Sequence, residues 1–276
     1  MASRAAPNSL LGDVVQPESL SLFSSTSSNP FALWALHQDP DLEEDSGIRL
    51  LIDSTDVAAL YDAGIPVDSF KLRSDEPIRG SCSEPVLHIQ SPSIRGTFIR
   101  SPPNKDTQLG IKLPYLTFQF RPIGSFRPFL FEVGIIDERH QQARIRVSSF
   151  QVEPKLYFKP AQDDRTLNAN GQNGMKKWEQ ILHLPLTMAV QPTQEQTSLT
   201  SWQVLTLPLD QFVKYCSDTC LLGHDGNEQE KKSKMQRLGR FEAVSHVKVH
   251  ANVRLRRVWC SKQLPDHDLT EFQVFS

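Results

Sequence analysis

Four sets of residues have types and spacings that could do chemistry. Cys216, Cys220 and His224 recur every four positions. On a helix they would share one face, and thiolates with an imidazole suit zinc. A structural zinc site needs a fourth ligand, for which His246, Cys260 and Asp225 are only unplaced candidates, and the usual two-residue cysteine spacing is missing. Cysteines buried as small hydrophobes are the simpler reading, and no metal is assigned. Glu132, Asp137 and Glu138 could supply a carboxylate pair for glycoside hydrolysis, but nothing in their spacing selects one. The sequence holds no G-x-S-x-G elbow, Walker A loop or H-E-x-x-H motif. No catalytic residue and no cofactor is assigned, and the chain reads as a non-enzyme.

The third set is a basic stripe within residues 247–260, VKVHANVRLRRVWC. Val247, Val249, Ala251, Val253 and Leu255 alternate with Lys248, His250, Asn252, Arg254 and Arg256, so a strand here has one buried face and one wet, basic face. Lys248, Arg254 and Arg256 are therefore candidates for contact with an acidic protein partner, since arginine pairs with carboxylates through two parallel hydrogen bonds. A solvated stripe that blunts a sheet edge is the plainer alternative. The alternation breaks at Arg257, as a β-bulge would make it, and Arg257 is expected to turn inward and pair with a buried carboxylate. Lys112, between Ile111 and Leu113, is a further contact candidate on a loop whose apolar residues should be buried.

The fourth set is aromatic. Trp34, Trp178, Trp202 and Trp259 could form a sugar platform, but Trp34, Trp202 and Trp259 are read as structural. A basic groove with aromatic residues, from Arg144, Arg146 and Phe150 to the run at 254–257, would suit single-stranded nucleic acid. With 30 Lys plus Arg against 32 Asp plus Glu and a net charge of −2, no broad basic field supports that. A module binding glycan or nucleic acid is kept as the alternative function.

The elements that must position these residues are mostly strands. PVLHIQ, GTFIR, YLTFQFRP, FLFEVGIID and ARIRVSSF follow one another between residues 85 and 150, separated by Pro, Gly and charged turns. Such spacing argues for a sandwich or barrel, not a βαβ sheet. Asp137 to His140 reads as a hairpin tip. Leu20–Phe23 and Phe31–Trp34 read as a first hairpin, ILHLPLTM and WQVLTLPL as later strands, and the tail after residue 263 as a turn and a last strand. A short helix is expected near 210–220, capped by Asp210, and another is allowed in 53–63. Residues 1–17 read as a flexible arm, and 18–276 as one domain with insertions near 38–84, 159–177 and 221–240. Four cysteines are too few for a disulfide scaffold, no apolar run nears a membrane span, and no secretory signal is visible, so a soluble intracellular protein is expected.

Two longer motifs carry a family resemblance. Residues 108–116, QLGIKLPYL, and 249–259, VHANVRLRRVW, resemble LGIKLPFL and HANCRIRRVY of the cilia- and flagella-associated protein 20 family. Leu20–Phe23 with Trp34, the FEV at 131–133 with residues 144–150, Trp202 with the stretch from Pro208 to Phe212, and the tail around Asp268 and Phe272 match further segments in order. Val253 stands where the family has Cys and Trp259 where it has Tyr. With the insertions, these differences are those of a divergent paralogue. The resemblance implies an all-β, jelly-roll-like sandwich similar to carbohydrate-binding modules. It also implies a non-catalytic protein of the cilium, flagellum or basal body, with the nucleus as an alternative. The implied partners are tubulin and axonemal inner-junction proteins such as one resembling the parkin co-regulated protein, with no membrane and no nucleic acid.

Overall fold

The structure is a computed structural model and describes residues 8–53, 84–124, 127–160, 178–186, 202–222 and 235–264. Two sheets face each other, as the alternating patterns require. One holds β11 (Gln203–Pro208), β6 (Tyr115–Pro122), β13 (Val253–Ser261), β4 (Pro85–Gln90) and β3 (Gly47–Ile52) in that order, with β1 (Ser19–Ser24) pairing the far end of β13. The other runs β2 (Ala35–His37), β5 (Phe98–Ser101), β12 (Phe241–His250), β7 (Leu130–Asp137), β8 (Gln142–Ser148), β10 (Trp178–Pro185) and β9 (Lys155–Pro160). All pairings are antiparallel except β8 with β10. The fold is thus the expected all-β sandwich. Its one α-helix among the described residues, α1 (Leu209–Tyr215), lies where a short helix was expected.

The core is aromatic and crosses between the layers. Phe131 of β7 stacks on Phe118 of β6 with centroids 4.6 Å apart and meets Phe120 edge-on at 4.8 Å. Such pairs add to the area they bury. Trp34 is buried with them. Its Nε1 donates to the Leu22 carbonyl at 2.8 Å, and its ring meets Phe23 edge-on. Trp34 thus packs in the core.

The stretch at 247–260 is two strands. β12 ends at His250 in the seven-stranded sheet, and β13 starts at Val253 in the other. The alternation runs through the joint, which is why the sequence reads as continuous. Asn252 fixes the crossing: its Oδ1 accepts from Ser91 N at 2.8 Å and its Nδ2 donates to the Pro128 carbonyl at 3.0 Å. A bulge does follow, but Arg256 is its extra residue, because Leu255 pairs with Phe120 and Arg257 with the next position, Gln119. Arg257 therefore keeps the outward alternation and is only half buried, contrary to the inward placement expected of it.

Other expectations also change. Phe31–Trp34 is a turn, and the strand after it, β2, belongs to a different sheet from β1, so the first two apolar pieces are not a hairpin. β3 lies inside the stretch read as a first insertion and forms an edge of the six-stranded sheet. β9 was missed because its end, Lys159 and Pro160, runs into the stretch read as an insertion near 159–177. Asp210 sits in the first turn of α1 and does not cap it; Pro208 is the N-cap residue. The N-terminal stretch is tied down from residue 8, through backbone hydrogen bonds from Gln108 N to the Asn8 carbonyl and from Leu10 and Leu11 N to the Gln108 and Leu109 carbonyls. Gly110 lets this strap approach. It has φ of 71°, and a Cβ there would fall 2.7 Å from Gly12 N. The helix considered at 53–63 and the last strand of the tail lie outside the described residues. No helix among the described residues is long and apolar enough to cross a membrane.

Candidate functional site

Each sheet carries a charged cluster on the side away from the core. On the six-stranded sheet the cross-strand register sets Arg49, His88, Arg254 and Arg121 side by side on β3, β4, β13 and β6. Asp53, just past the end of β3, pairs with Arg254 and Arg121, while Arg49 stays exposed at the edge. Arg254 Nη1 donates to Asp53 Oδ1 at 2.6 Å, Arg121 Nη1 to Oδ2 at 3.1 Å, and Trp202 Nε1 to Oδ2 at 3.0 Å. Arg254 Nη1 also reaches the Asp53 carbonyl, and its Nε faces His88 Nδ1 at 3.4 Å. Asp53 is fully buried, and Arg254 is 3 % exposed.

The face read as wet is therefore closed at these positions. Arg256 is 6 % exposed, and its Nη2 pairs with Glu84 at 2.7 Å. Arg254 and Arg256 sit in ion pairs of the fold and offer no open contact stripe. Alternation alone cannot show this, because the carboxylates that cover the stripe come from Asp53 and Glu84, far away in sequence. Trp202 packs on Leu51 and Val86 of the same outer face, and Trp259 is buried.

On the seven-stranded sheet one row crosses every strand. Ala35, Arg100, Lys248, Glu132, Arg146, His183 and Lys155 are successive cross-strand partners from β2 to β9. Glu132 is fully buried at its centre. Lys248 Nζ donates to its Oε1 at 2.7 Å, and Arg146 gives Nε and Nη2 to Oε2 at 2.7 and 2.6 Å. From the next row, Arg144 reaches Oε1 at 3.5 Å and His246 Nε2 lies 3.3 Å from it. Arg144 also pairs with Glu179 at 2.6 Å. His246 fits because it lies over Gly134, where a Cβ would come within 2.2 Å of Nδ1.

Burial pushes the Glu132 carboxyl up, but the hydrogen bond from His246 and the charges of Lys248 and Arg146 outweigh it. The group is held far below the usual carboxylate range. Burial lowers Lys248 in spite of Glu132, and lowers Arg100 likewise. A buried glutamate with this environment cannot act as a general acid, because it does not hold a proton near neutral pH.

Histidines flank this row. Phe98 is held between His37, stacked at 4.6 Å, and His250 at 4.9 Å. His250 Nδ1 donates to the Ile94 carbonyl at 2.6 Å, and its Nε2 is buried without a partner. Burial lowers His250 to about 4. Burial and then Arg146 do the same to His183, whose Nε2 meets Ser148 Oγ at 2.8 Å.

Lys112 is exposed on a loop whose Leu109 and Ile111 are fully buried, with Gln16 Oε1 accepting from its backbone N. The loop motif is thus a packing device with one open cation. Cys216 is buried, with its thiol pushed up to about 12, whereas Cys220 is exposed. His224 lies outside the described residues, among which no group of three or more possible metal ligands occurs. Asp137 does not face Glu132. Its Oδ1 accepts from Arg139 and Gln141 N in the hairpin tip and its Oδ2 from Gly239 N.

The charged clusters described on both sheets of this sandwich are engaged in internal ion pairs. Residues 73–162 match the CFA20 domain. The chain is 28% identical to the cilia- and flagella-associated protein 20 of Chlamydomonas reinhardtii, over 78% of this chain and 85% of that one. It is 24% identical to the protein of that name in Caenorhabditis elegans, over 78% and 79%. With that of Paramecium tetraurelia it shares 29% identity over 40% and 56%. The resemblance carried by the two motifs is borne out: the chain is similar to cilia- and flagella-associated protein 20 over most of its length.

Proposed function

We propose that this protein is a non-catalytic structural component of cilia or flagella. In this reading it docks on doublet microtubules in the manner of an inner-junction protein, or on basal bodies, through tubulin and neighbours such as a parkin co-regulated-like protein. The observation that carries the reading is the similarity to relatives named as cilia- and flagella-associated over 78% of the chain. The state of the buried clusters supports it. Glu132 is held as an anion by Lys248 and Arg146, and Asp53 is tied to two arginines, so both carboxylates serve to hold the sheets.

The experiment is expression of the tagged full chain in a ciliated cell, followed by salt extraction of isolated axonemes. The expected result is a signal along the axoneme or at the basal body that stays with the microtubule pellet at physiological salt. A diffuse or purely nuclear signal with no pelleting would overturn the reading. Lys112 and Lys248 remain the candidates for direct contact from the sequence stripe and loop; Arg254 and Arg256 do not, because their guanidinium groups are buried.

A further inference from the structure

We propose that the outer face of the seven-stranded sheet is a docking surface for an extended acidic polypeptide segment. The argument is charge balance on a partly open surface. Among the described residues, four cations, Arg100, Lys248, Arg144 and Arg146, stand together with two carboxylates within ion-pair distance of them, Glu132 and Glu179. That leaves an excess of two positive charges in one cross-strand neighbourhood. The chain as a whole is slightly acidic, so this is a local feature.

The excess is reachable. The side chains of Arg144 and Arg146 are each 22 % exposed and that of Lys248 19 %, whereas Glu132 beneath them is 1 % exposed. The carboxylate therefore lies under a partly solvated cationic layer. Arg100 has no carboxylate partner among the described residues: its Nη1 donates to the carbonyls of Pro102 and Asn104. Burial lowers Arg100 and Lys248, Glu132 opposes it, and Arg144 adds a smaller push down on both. The row then continues through His183 to Lys155 on β9, where Tyr157 is 39 % exposed. At about 4.8 Å per strand, Arg100 to Lys155 spans roughly 24 Å, the length of about seven extended residues.

Carboxylates suit this surface better than a phosphodiester chain with bases. Arg146 already presents its Nε and Nη2 edge to a carboxylate here. Base stacking needs open ring faces. The ring of Phe98 is flanked by His37 and His250; Phe150 and Tyr157 keep exposed area, but Phe150 is met by His183 and Lys155 Nζ stands 5.6 Å over the Tyr157 ring. This docking surface stands independently of the ciliary reading, since it rests on the charge and register of one sheet.

The test is fluorescence anisotropy of a labelled decaglutamate peptide titrated with the full chain, beside decaglutamine and an oligo-dT of similar length. Decaglutamate should bind and decaglutamine should not. The affinity should fall about tenfold or more between 50 and 300 mM salt, as expected for exposed charges. The variant Lys155→Glu/Lys159→Glu reverses two lysines of β9, the half-buried Lys155 at the end of the row and the exposed Lys159 four positions on, and should weaken binding at least about fivefold. Glu132→Gln removes the buried counter-charge and should strengthen binding by a similar factor if it folds; the β9 variant decides the matter if it does not. No decaglutamate binding at 50 mM salt, equal binding by the β9 variant, or tighter binding of oligo-dT would each overturn the proposal.

Discussion

Asp53 and Arg254 lie 201 positions apart in the chain, and Arg254 Nη1 donates both to the Asp53 side chain at 2.6 Å and to its carbonyl at 3.2 Å. The pair ties the edge strand β3 to the central strand β13. Arg121 on β6 and Trp202 beside β11 bind the other carboxylate oxygen, so one side chain gathers four of the six strands. Within the low-dielectric outer layer, this network is held by geometry and saturation of hydrogen bonds rather than by attraction alone.

Removing the shared partner should therefore cost more than removing either arginine. Asp53→Ala removes the buried carboxylate that the Arg254 and Arg121 guanidinium groups share, and a loss of about 3–5 kcal/mol is expected. Arg254→Met leaves Asp53 still paired with Arg121 and should cost clearly less. The double variant should be less destabilised than the sum of the two by about 1 kcal/mol or more, because the residues share one network. Urea unfolding of the four proteins at pH 7.5 measures this. Strict additivity would mean that the pair contributes nothing as a pair.

Much of the sandwich was legible because its strands alternate strictly. Phe118 and Phe120, Ile145 and Val147, and the valines of β12 all point inward as their spacing requires. What the spacing could not show was which charges would meet. A period of two says that Arg254 and Val253 face opposite ways; it does not say that Asp53 will cover one of those faces. The same limit hid Glu132, whose position in FEVG looks like any polar residue between hydrophobic ones. Its partners lie on β8 and β12, and only the register brings them together. The Arg256 bulge was visible as a break in rhythm, but the break alone left open which of two adjacent arginines was the extra residue.

Acid should destabilise the fold in two windows. His250 and His183 titrate near 4 in the folded chain, against about 6.5 when unfolded. Between these values the unfolded chain binds protons that the folded chain refuses, so stability falls as pH drops from about 6.5 to about 4. Glu132 is depressed, so its contribution is present above the ordinary carboxylate range and is lost as pH falls below about 4.5. Urea midpoints from pH 7.5 to 3.5 should show both slopes. His250→Gln should flatten the upper window only, and Glu132→Gln the lower one only. A wild-type midpoint constant between pH 6.5 and 4.5 would contradict the placement of the histidines.

Asn252 should be the most sensitive residue of the HAN segment, although its side chain meets only two partners. It is 2 % exposed and sits where the chain leaves β12 and enters β13. Its Oδ1 and Nδ2 satisfy Ser91 N and the Pro128 carbonyl, and its own carbonyl accepts from Ile123 N at 3.1 Å. Asn252→Ala strands one buried donor and one buried acceptor, at about 1–3 kcal/mol each. Asn252→Asp keeps the acceptor for Ser91 but sets a carboxylate oxygen against the Pro128 carbonyl, so it should be at least as harmful as alanine. If the residue pins the crossing, hydrogen exchange at Ser91 and Ile123 should speed up in both variants while the β7–β8 hairpin stays protected. Uniform loss of protection would instead make Asn252 one more packing residue with no special hold on the joint between the two sheets.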